Sequence, residues 1–256
     1  MIERGSGGVI SLILAKGTRD NLILPLSIPP TVFLLKVSIV IPTMNEEQSV
    51  GQVIDLVRSV MKPTGLSYDV SIVDTSSKDR TRDIAIEKGA LIIEEPRRGY
   101  GRAYKTGFEK AGGEVIATLD ADCTYPAEDI PKLVDLLVRE DLQFITTNRF
   151  ADLEEGAMSA KHRFGNGILN FTTRLLFDVR IKDSQSGMWV FRKEAYAKLD
   201  VQNDGMPFSE EIKIEAFRKL RAKEVPITYR KRVGEVKLSS WKDGWRNFKF
   251  LWKKRF

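Results

Sequence analysis

Two aspartates spaced one residue apart follow a short apolar segment near the middle of the chain. Asp120 and Asp122 come directly after residues 115–119, whose length and composition are typical of a buried strand. At the carboxyl edge of an open α/β sheet, where such folds bind ligands, the two carboxylates would be neighbours. Their hard oxygen atoms suit Mg²⁺ or Mn²⁺ bridging phosphate groups. The motif predicts metal-assisted phosphate chemistry, although an Asp-x-Asp sequence alone is more often a solvated loop.

The rare residue types disfavour several other chemistries. The single cysteine, Cys123, allows no internal disulfide and fits a reducing compartment. The single histidine, His162, excludes a histidine-rich metal site and argues against a Ser-His-Asp triad. The glycine-rich turn at 99–101 lacks the lysine-hydroxyl ending of a Walker loop, and no Gly-x-Gly-x-x-Gly follows the first predicted strand. ATPase and dehydrogenase functions are therefore disfavoured.

Composition sets the broad class of the protein. The chain has 256 residues, of which 42% are hydrophobic and 30% charged, as in an ordinary globular protein with one main domain. Its formal net charge of +6 fits phosphate-bearing ligands, an anionic membrane or nucleic acid, without deciding among them. No apolar segment reaches the roughly 18 residues of a membrane span. We interpret residues 1–35 as a poorly ordered or loosely attached N-terminal extension.

Short β-branched segments alternate with helical patterns along the chain. Strands are predicted at 37–41, 69–74, 91–93, 115–119, 144–147 and, as an edge strand containing a proline, 225–229. The intervening helices predict βαβ units, and hence an α/β fold with a mostly parallel central sheet flanked by helices. Asn45 and Gln48 resemble a capping box for the first helix, and Ser77 is the expected cap of the second. Loops 42–46, 74–78 and 120–124 should converge on one cleft.

Four segments occur in the order and approximate spacing of one known family. They are residues 42–47 (PTMNEE), 73–81 (VDTSSKDRT), 120–122 (DAD) and 183–188 (DSQSGM). Over roughly residues 36–240 the chain resembles the family 2 glycosyltransferases, in particular the dolichol-phosphate mannose and glucose synthase branch. The resemblance implies a Rossmann-like GT-A domain across 36–240.

The resemblance also implies a donor site for a nucleotide sugar and a metal cofactor. In the family, the first two segments hold the base and ribose, and the strand-end aspartates hold the metal and the donor diphosphate. The implied donor-binding residues are Pro42, Thr43, Glu46, Asp74, Gly101 and Asp120. Asp120 and Asp122 are the implied ligands of Mg²⁺ or Mn²⁺. The sequence departs from the family pattern at Thr75, where the second Asp of a Val-Asp-Asp motif is usual, and at Thr124, where many synthases have Gln.

Basic residues after the aspartates match those that hold an acceptor phosphate in the synthase branch. By resemblance these are Arg149, Arg163, Arg232 and Lys237, and the residues expected to act in catalysis are Asp122, Arg149 and Arg163. A lipid monophosphate is largely dianionic at neutral pH because its second pKa is about 6, so it needs no general base. It needs cations instead, and arginine forks bind phosphate oxygens in bidentate fashion.

The C-terminal residues 241–256 combine aromatic and basic side chains. Aromatic residues recur at steps of four, three and four, with lysines and arginines around them, which predicts an amphipathic helix. Such a helix suits the interface of an anionic membrane, and the alternative is that it packs onto the domain. Earlier in the chain an apolar helical stripe lies among basic residues; its members are Phe164, Ile168, Leu175 and Leu176.

The resulting expectation is an inverting glycosyltransferase. It moves a hexose from a nucleotide sugar of the GDP-mannose or UDP-glucose type to a polyprenyl or dolichyl phosphate, attached peripherally at the cytoplasmic face of a membrane. Its expected partners are the nucleotide sugar, the lipid phosphate and the membrane surface, a membrane protein stays open as a further partner, and nucleic acid is not expected. Two alternatives stay open: a family 2 enzyme acting on a glycan or glycolipid hydroxyl, and a non-catalytic basic binding module.

Overall fold

The fold is known from a computed structural model that describes residues 35–234 and 240–256, with side chains of the second range from 243 onward. The expected extension at 1–35 lies outside the described residues except for its last residue. Lys237, one of the expected acceptor-phosphate residues, also lies outside them. No helix in the described part of the chain is both long and apolar enough to span a membrane.

The described residues form a seven-stranded sheet. Its strands are β1 (Lys36–Thr43), β2 (Ser67–Asp74), β3 (Leu91–Glu94), β4 (Val115–Thr118), β5 (Phe144–Leu153), β6 (Trp189–Arg192) and β7 (Ala222–Tyr229). The strand order is β3-β2-β1-β4-β6-β5-β7. Only β6 runs antiparallel to its neighbours within this described sheet. The predicted α/β class and mostly parallel sheet are confirmed, and β7 with Pro226 lies at the edge as predicted.

Helices cover both faces of the sheet. They are α1 (Val50–Met61), α2 (Thr81–Glu87), α3 (Tyr100–Lys110), α4 (Ile130–Arg139), α5 (Ala160–Phe177), α6 (Lys193–Tyr196), α7 (Phe208–Lys219) and α8 (Ser240–Arg255). One core lies between the sheet and α1 with α4, and a second lies between the sheet and α3 with α7. The last helix confirms the predicted C-terminal amphipathic helix.

The continuous apolar character of β1 follows from this two-sided packing. Val37, Ile39 and Ile41 point into the first core, whereas Val40 points into the second, and all four are fully buried. A strand covered on both faces has no solvent side, so its residues do not alternate between apolar and polar.

The two predicted helix caps are wrong. Helix α1 begins after Ser49 with no side-chain cap, and α2 begins after Arg80 rather than after Ser77. Asn45 instead accepts a hydrogen bond from the Lys78 amide at 2.7 Å, and its own amide donates to the Ser77 hydroxyl at 2.8 Å. Because β1 and β2 are adjacent and parallel, the loops that follow them satisfy each other's polar groups rather than capping helices.

A glycine of α3 allows that helix to approach the sheet closely. A Cβ atom at Gly107 would lie 2.5 Å from Cγ1 of Val40 and 2.8 Å from Cγ2 of Val73. We predict that Gly107→Ala lowers the free energy of unfolding by about 1–3 kcal/mol through overpacking. Urea unfolding followed by tryptophan fluorescence measures the loss.

Gly165→Ala is the matched control for this prediction. Gly165 also lies inside a helix, α5, but a Cβ atom there would meet no atom within 4 Å. Its replacement should leave stability unchanged or raise it by up to about 1 kcal/mol, because alanine has the higher helix propensity. Equal effects of the two substitutions would contradict the packing explanation.

Candidate active site

The three loops predicted to converge do lie at one edge of the sheet. Strands β2, β1 and β4 are consecutive neighbours and run parallel, so their carboxyl ends meet. Thr43 pairs directly with Asp74 at the end of the β1–β2 ladder. Asp120 and Asp122 follow the end of β4 by two and four residues. This edge is where open α/β sheets bind ligands.

Asp74 is held rigidly at the end of β2. It is buried, its Oδ1 accepts from the Thr43 hydroxyl at 3.3 Å, and its Oδ2 accepts from the Ser77 amide at 3.1 Å. Thr75, where the family usually has Asp, donates from both its amide and its hydroxyl to the Thr43 carbonyl at 2.9 Å. The substitution therefore joins β1 to β2 beyond their last ladder pair, and it does not disturb Asp74.

The loop that carries Glu46 is tied to the loop after β2. The Glu46 amide donates to the Thr81 hydroxyl at 2.7 Å, and the Glu47 amide donates to Asp79 Oδ2 at 3.1 Å. In the reverse direction the Arg80 amide donates to Glu47 Oε2 at 3.1 Å. These bonds fix the backbone on which the expected donor residues lie before any ligand binds.

The Asp122 carboxylate has two differently occupied oxygens. Oδ1 accepts from both the amide of Thr124, at 3.0 Å, and its hydroxyl, at 2.6 Å. Oδ2 lies 2.7 Å from the Arg232 guanidinium but has no partner in hydrogen-bond geometry among the described residues. Thr124 thus orients Asp122 in this structure, which is a positioning role, and Oδ2 faces Arg232.

Arg232 reaches Asp122 because its segment runs alongside the aspartate loop. The Arg230 amide donates to the Thr124 carbonyl at 3.0 Å, and the Val233 amide donates to the Asp122 carbonyl at 2.9 Å. The late basic loop is therefore joined by backbone hydrogen bonds to the segment that carries the paired aspartates.

Asp120 lies in an electrostatically unfavourable position for a lone carboxylate. Burial and the charge of Asp122 raise its pKa to about 7, against the opposing influence of Arg232 and Arg149. The Tyr104 hydroxyl lies 3.4 Å from its Oδ1. Two like charges held together in a partly buried cleft create a site that a cation stabilises.

The donor set fits a divalent cation that completes its coordination with substrate oxygens. It offers two carboxylates, and the buried Oδ2 of Asp122 has an ion pair with Arg232 but no hydrogen-bond partner among the described residues. Mg²⁺ is commonly held by one or two carboxylates together with substrate phosphates. Within residues 35–234 and 240–256 no group of three or more His, Cys, Asp or Glu side chains could hold a metal. An all-protein metal cage is therefore not formed there.

Arg149 is fixed by Asp183, the first residue of the fourth motif. Its Nε and Nη2 donate to the two oxygens of Asp183 at 2.7 and 2.9 Å, and its guanidinium lies 5.3 Å from the centre of the Tyr229 ring. Burial alone would raise the pKa of Asp183, but the adjacent arginine outweighs burial and holds that pKa below its usual value. Sequence analysis found Asp183 in a motif without recognising that it positions Arg149.

The other expected site residues differ in their surroundings. Arg163 is exposed on the first turn of α5 and makes no ion pair with a described residue. Pro42 is partly buried at the end of β1. Gly101 is buried, and a Cβ atom there would lie 2.5 Å from Cβ of Phe208 and 2.6 Å from the Asn203 carbonyl. Glycine at this position is thus required by packing, and direct donor contact stays a prediction.

Sequence analysis missed the buried ionisable groups on α7, among them Lys213 and Glu210. Lys213 donates from Nζ to the Asp183 carbonyl at 3.0 Å, and burial lowers its pKa to about 7. Glu210 accepts from Gln185 at 2.5 Å, and burial raises its pKa to about 8. Charged residues within a helical pattern usually indicate a solvent face, so no sequence signal marked Lys213 and Glu210 as buried.

Comparison with known proteins decides the family. The profile described as Glycosyl transferase family 2 matches residues 38–200. The chain belongs to this family. It is therefore a glycosyltransferase, and the suspected relationship is confirmed.

Curated relatives of this family 2 protein include hexosyltransferases. It is 39% identical over 217 residues to the low-salt glycan biosynthesis hexosyltransferase of Haloferax volcanii, covering 84% of this chain and 52% of that protein. It is 33% identical over 209 residues to the dolichyl-phosphate hexose transferase of the same organism, covering 81% of this chain and 88% of that protein. The chain thus spans about half the length of the first of these relatives.

Solved structures confirm the GT-A fold of this glycosyltransferase. The glucosyl-3-phosphoglycerate synthase of Mycobacterium tuberculosis, crystallised with Mn²⁺, UDP-glucose and phosphoglyceric acid, aligns with a TM-score of 0.68 at 20% identity. The alignment covers 86% of this chain and 79% of that one. A second crystal of the same synthase contains Mg²⁺ and UDP, and it aligns with a TM-score of 0.70 at 19% identity and the same coverage.

We predict that Arg232→Gln separates metal binding from nucleotide binding. Arg232 neutralises Asp122 and lies against its Oδ2, so its removal should raise the affinity for free Mn²⁺ by about tenfold. Affinity for a nucleoside diphosphate in the presence of Mn²⁺ should fall, because a cation beside the expected metal site is lost. Electron paramagnetic resonance of free Mn²⁺ and calorimetry with GDP and UDP measure the two affinities.

Arg230→Gln is the control for the Arg232 variant. Arg230 is two residues away but pairs with Glu128 rather than with Asp122. It should leave Mn²⁺ affinity unchanged. An equal rise in both variants would mean that only general positive charge, and not the contact with Asp122, opposes the metal.

We also predict a pH-dependent stability difference between the parent and Glu210→Gln. The folded state keeps the Glu210 proton up to about pH 8, whereas the unfolded chain loses it near its ordinary pKa of 4.5. Stability of the parent therefore falls as pH rises through this interval, and the variant lacks this loss. Relative to the parent, the variant should gain more than about 1 kcal/mol between pH 5 and 8.5 in urea unfolding.

Glu155→Gln, on the exposed surface, serves as the reference substitution for this measurement. It should show the same small difference from the parent at both pH values. A Glu210→Gln profile parallel to that of Glu155→Gln would contradict a buried protonated Glu210.

Proposed function

We propose that this glycosyltransferase transfers a hexose from a nucleotide sugar to the phosphate of a polyprenyl or dolichyl phosphate, with inversion at the anomeric carbon. The observation that carries the proposal is the meeting of two acidic and two guanidinium side chains at the carboxyl edge of the sheet. These residues are Asp120, Asp122, Arg149 and Arg232. Such a site can serve two anionic substrates at once.

The donor side of the reaction explains the paired carboxylates. Breaking the bond between the anomeric carbon and the nucleoside diphosphate leaves negative charge on the departing phosphate. Mg²⁺ or Mn²⁺, held by Asp120 and Asp122, supplies Lewis-acid neutralisation of that charge when bound. Thr43 and Asp74 would bind the nucleoside, and their fixed positions at adjacent strand ends support this role.

The acceptor side explains the arginines. A phosphate nucleophile is already deprotonated and needs only to be held in line with the anomeric carbon, so direct attack inverts the centre. Arg149 gives two of its five N–H groups to Asp183, which leaves three for acceptor oxygens. Its bidentate pairing and its contact with Tyr229 hold it in one orientation before the acceptor arrives.

The named relatives support the same assignment. The dolichyl-phosphate hexose transferase supports the lipid phosphate as acceptor, and the glucosyl-3-phosphoglycerate synthase, crystallised with Mn²⁺ and UDP-glucose, supports a metal and a nucleotide sugar. A glycan hydroxyl would in addition require a general base. Arg149 and Arg232 at the cleft instead offer the cations that a phosphate acceptor requires.

The direct test incubates the purified protein, Mn²⁺ and a short, water-soluble polyprenyl phosphate with radiolabelled GDP-mannose or UDP-glucose. Label should appear in a prenyl-linked product, separated by reversed-phase chromatography, with one donor, and NMR of the product should show the inverted anomer. Unphosphorylated prenol should accept nothing. Transfer to the prenol, or to glycan hydroxyls but not to the phosphate, would refute the proposed acceptor.

We predict that Asp122→Asn lowers kcat in this assay by a factor of about a hundred or more, because charge compensation at the leaving diphosphate is lost. The control is Asp129→Asn, seven residues along the chain, whose carboxylate pairs with Lys132 on the surface. It should retain parental turnover. Comparable loss in both would point to folding, which far-UV circular dichroism of the two variants checks.

A further inference from the structure

Helix α5 is apolar on two opposite faces. Its inner face packs Leu169 and Phe177 into a cluster with Ile214 of α7. Its outer face presents large apolar side chains that are 45–74% exposed, namely Phe164, Ile168, Phe171 and Leu175. They recur at steps of four, three and four, and so lie within an arc of about 60° at 100° per residue. A helix apolar on both sides normally has both sides covered.

Helix α8 repeats this arrangement beside α5. Its inner face packs Leu251 into the same cluster, and Asn247 donates to Gln185 Oε1 at 2.8 Å. Its outer face exposes Trp245, Trp252 and Phe256 to between 48% and 85%. Both inner faces meet one cluster and the two helices pack against each other, so we treat the two outer stripes as one candidate surface. We refer to these seven outer side chains as the α5–α8 face.

The two helices that carry the α5–α8 face are strongly basic. Helix α5 has no acidic residue and carries three cationic ones, Lys161, Arg163 and Arg174. Helix α8 carries six lysines and arginines against one aspartate. The Lys249 ammonium lies 5.4 Å from the centre of the Trp245 ring, so a cation and an aromatic ring share the outer surface.

The positive charge of the two helices favours an anionic bilayer over a second copy of the chain as the partner of this face. In a twofold dimer built on this face, the same patch of each copy would meet, and basic residues would oppose basic residues. An anionic bilayer offers what the face lacks, namely acyl chains for the aromatic and aliphatic side chains and negative headgroups for the lysines and arginines.

We propose that the α5–α8 face docks on the surface of an anionic lipid bilayer. Arg163 precedes the first outer residue, Phe164, so docking places this arginine at headgroup level, where the phosphate of a lipid acceptor lies. This second consequence rests on the proposed function. Contact with the bilayer itself rests only on the geometry and charge of the two helices.

The test measures binding to vesicles of phosphatidylcholine with and without 30% phosphatidylglycerol by flotation. The full chain should bind the anionic vesicles, and 0.5 M NaCl should weaken that binding because salt screens the charges. Lipids brominated in their acyl chains should quench part of the tryptophan fluorescence, since Trp245 and Trp252 are exposed and Trp189 is buried. Binding that ignores both lipid charge and salt would contradict the proposal.

The decisive variant is the double substitution Phe164→Asp with Phe171→Asp. Both side chains are exposed, so the fold should persist, and vesicle affinity should fall by about tenfold or more. The matched control is Ile86→Asp with Leu91→Asp, which changes two exposed apolar residues on α2 and β3 in the same way. The control should bind like the parent.

Two further measurements distinguish failure of the membrane proposal from failure of the proposed function. If light scattering showed a dimer of the parent and a monomer of the Phe164/Phe171 variant, the face would be a protein interface and the proposal would be overturned. Transfer to a short soluble polyprenyl phosphate should be unchanged in that variant, whereas transfer to a long acceptor in vesicles should fall. Vesicle binding without transfer to any acceptor would refute the proposed function alone.

Discussion

Charge balance at the carboxyl edge of the sheet constrains the cleft. Two carboxylates are held together after β4, and arginines from other parts of the chain compensate them. Arg232 is brought in by backbone hydrogen bonds between its segment and the aspartate loop, and Arg149 is brought in by Asp183. Without these cations, burial and repulsion by Asp122 would raise the pKa of Asp120 further. The elements around the cleft hold the two aspartates and the two arginines in fixed relative positions.

Polar contacts also hold the layer behind the cleft in place. Lys213 donates to the backbone carbonyl of Asp183, and Glu210 accepts from Gln185 two residues further along. Helix α7 therefore supports the fourth motif through polar contacts in a region closed to solvent. A buried polar network of this kind tolerates few arrangements, because each unmet donor or acceptor costs free energy. It therefore specifies one position for the loop that holds Arg149.

Much of the fold follows from local patterns, because buried strands and amphipathic helices have distinct periods. The sheet, the edge position of β7 and the convergence of three loops could all be predicted. The caps could not, since Asn45 and Ser77 bond across strands rather than along the chain. Strand β6 was missed because it is only four residues long and directly follows a polar loop. The apolar stripe on α5 was visible in the sequence. Whether it faces the core or the solvent could not be predicted, because the helix is apolar on both sides.

The antiparallel strand β6 has a consequence for folding. It lies between β4 and β5 and pairs Ala117 with Val190, so it closes a loop of some seventy residues. Strands β1, β2 and β4 can pair without it. We therefore expect the half that carries Asp74 and Asp120 to form early, and the insertion of β6, which brings Asp183 to Arg149, to come late. A folding intermediate would then contain the proposed nucleotide-binding half but lack a complete acceptor side. Substitutions that slow the insertion of β6 would prolong the lifetime of this intermediate.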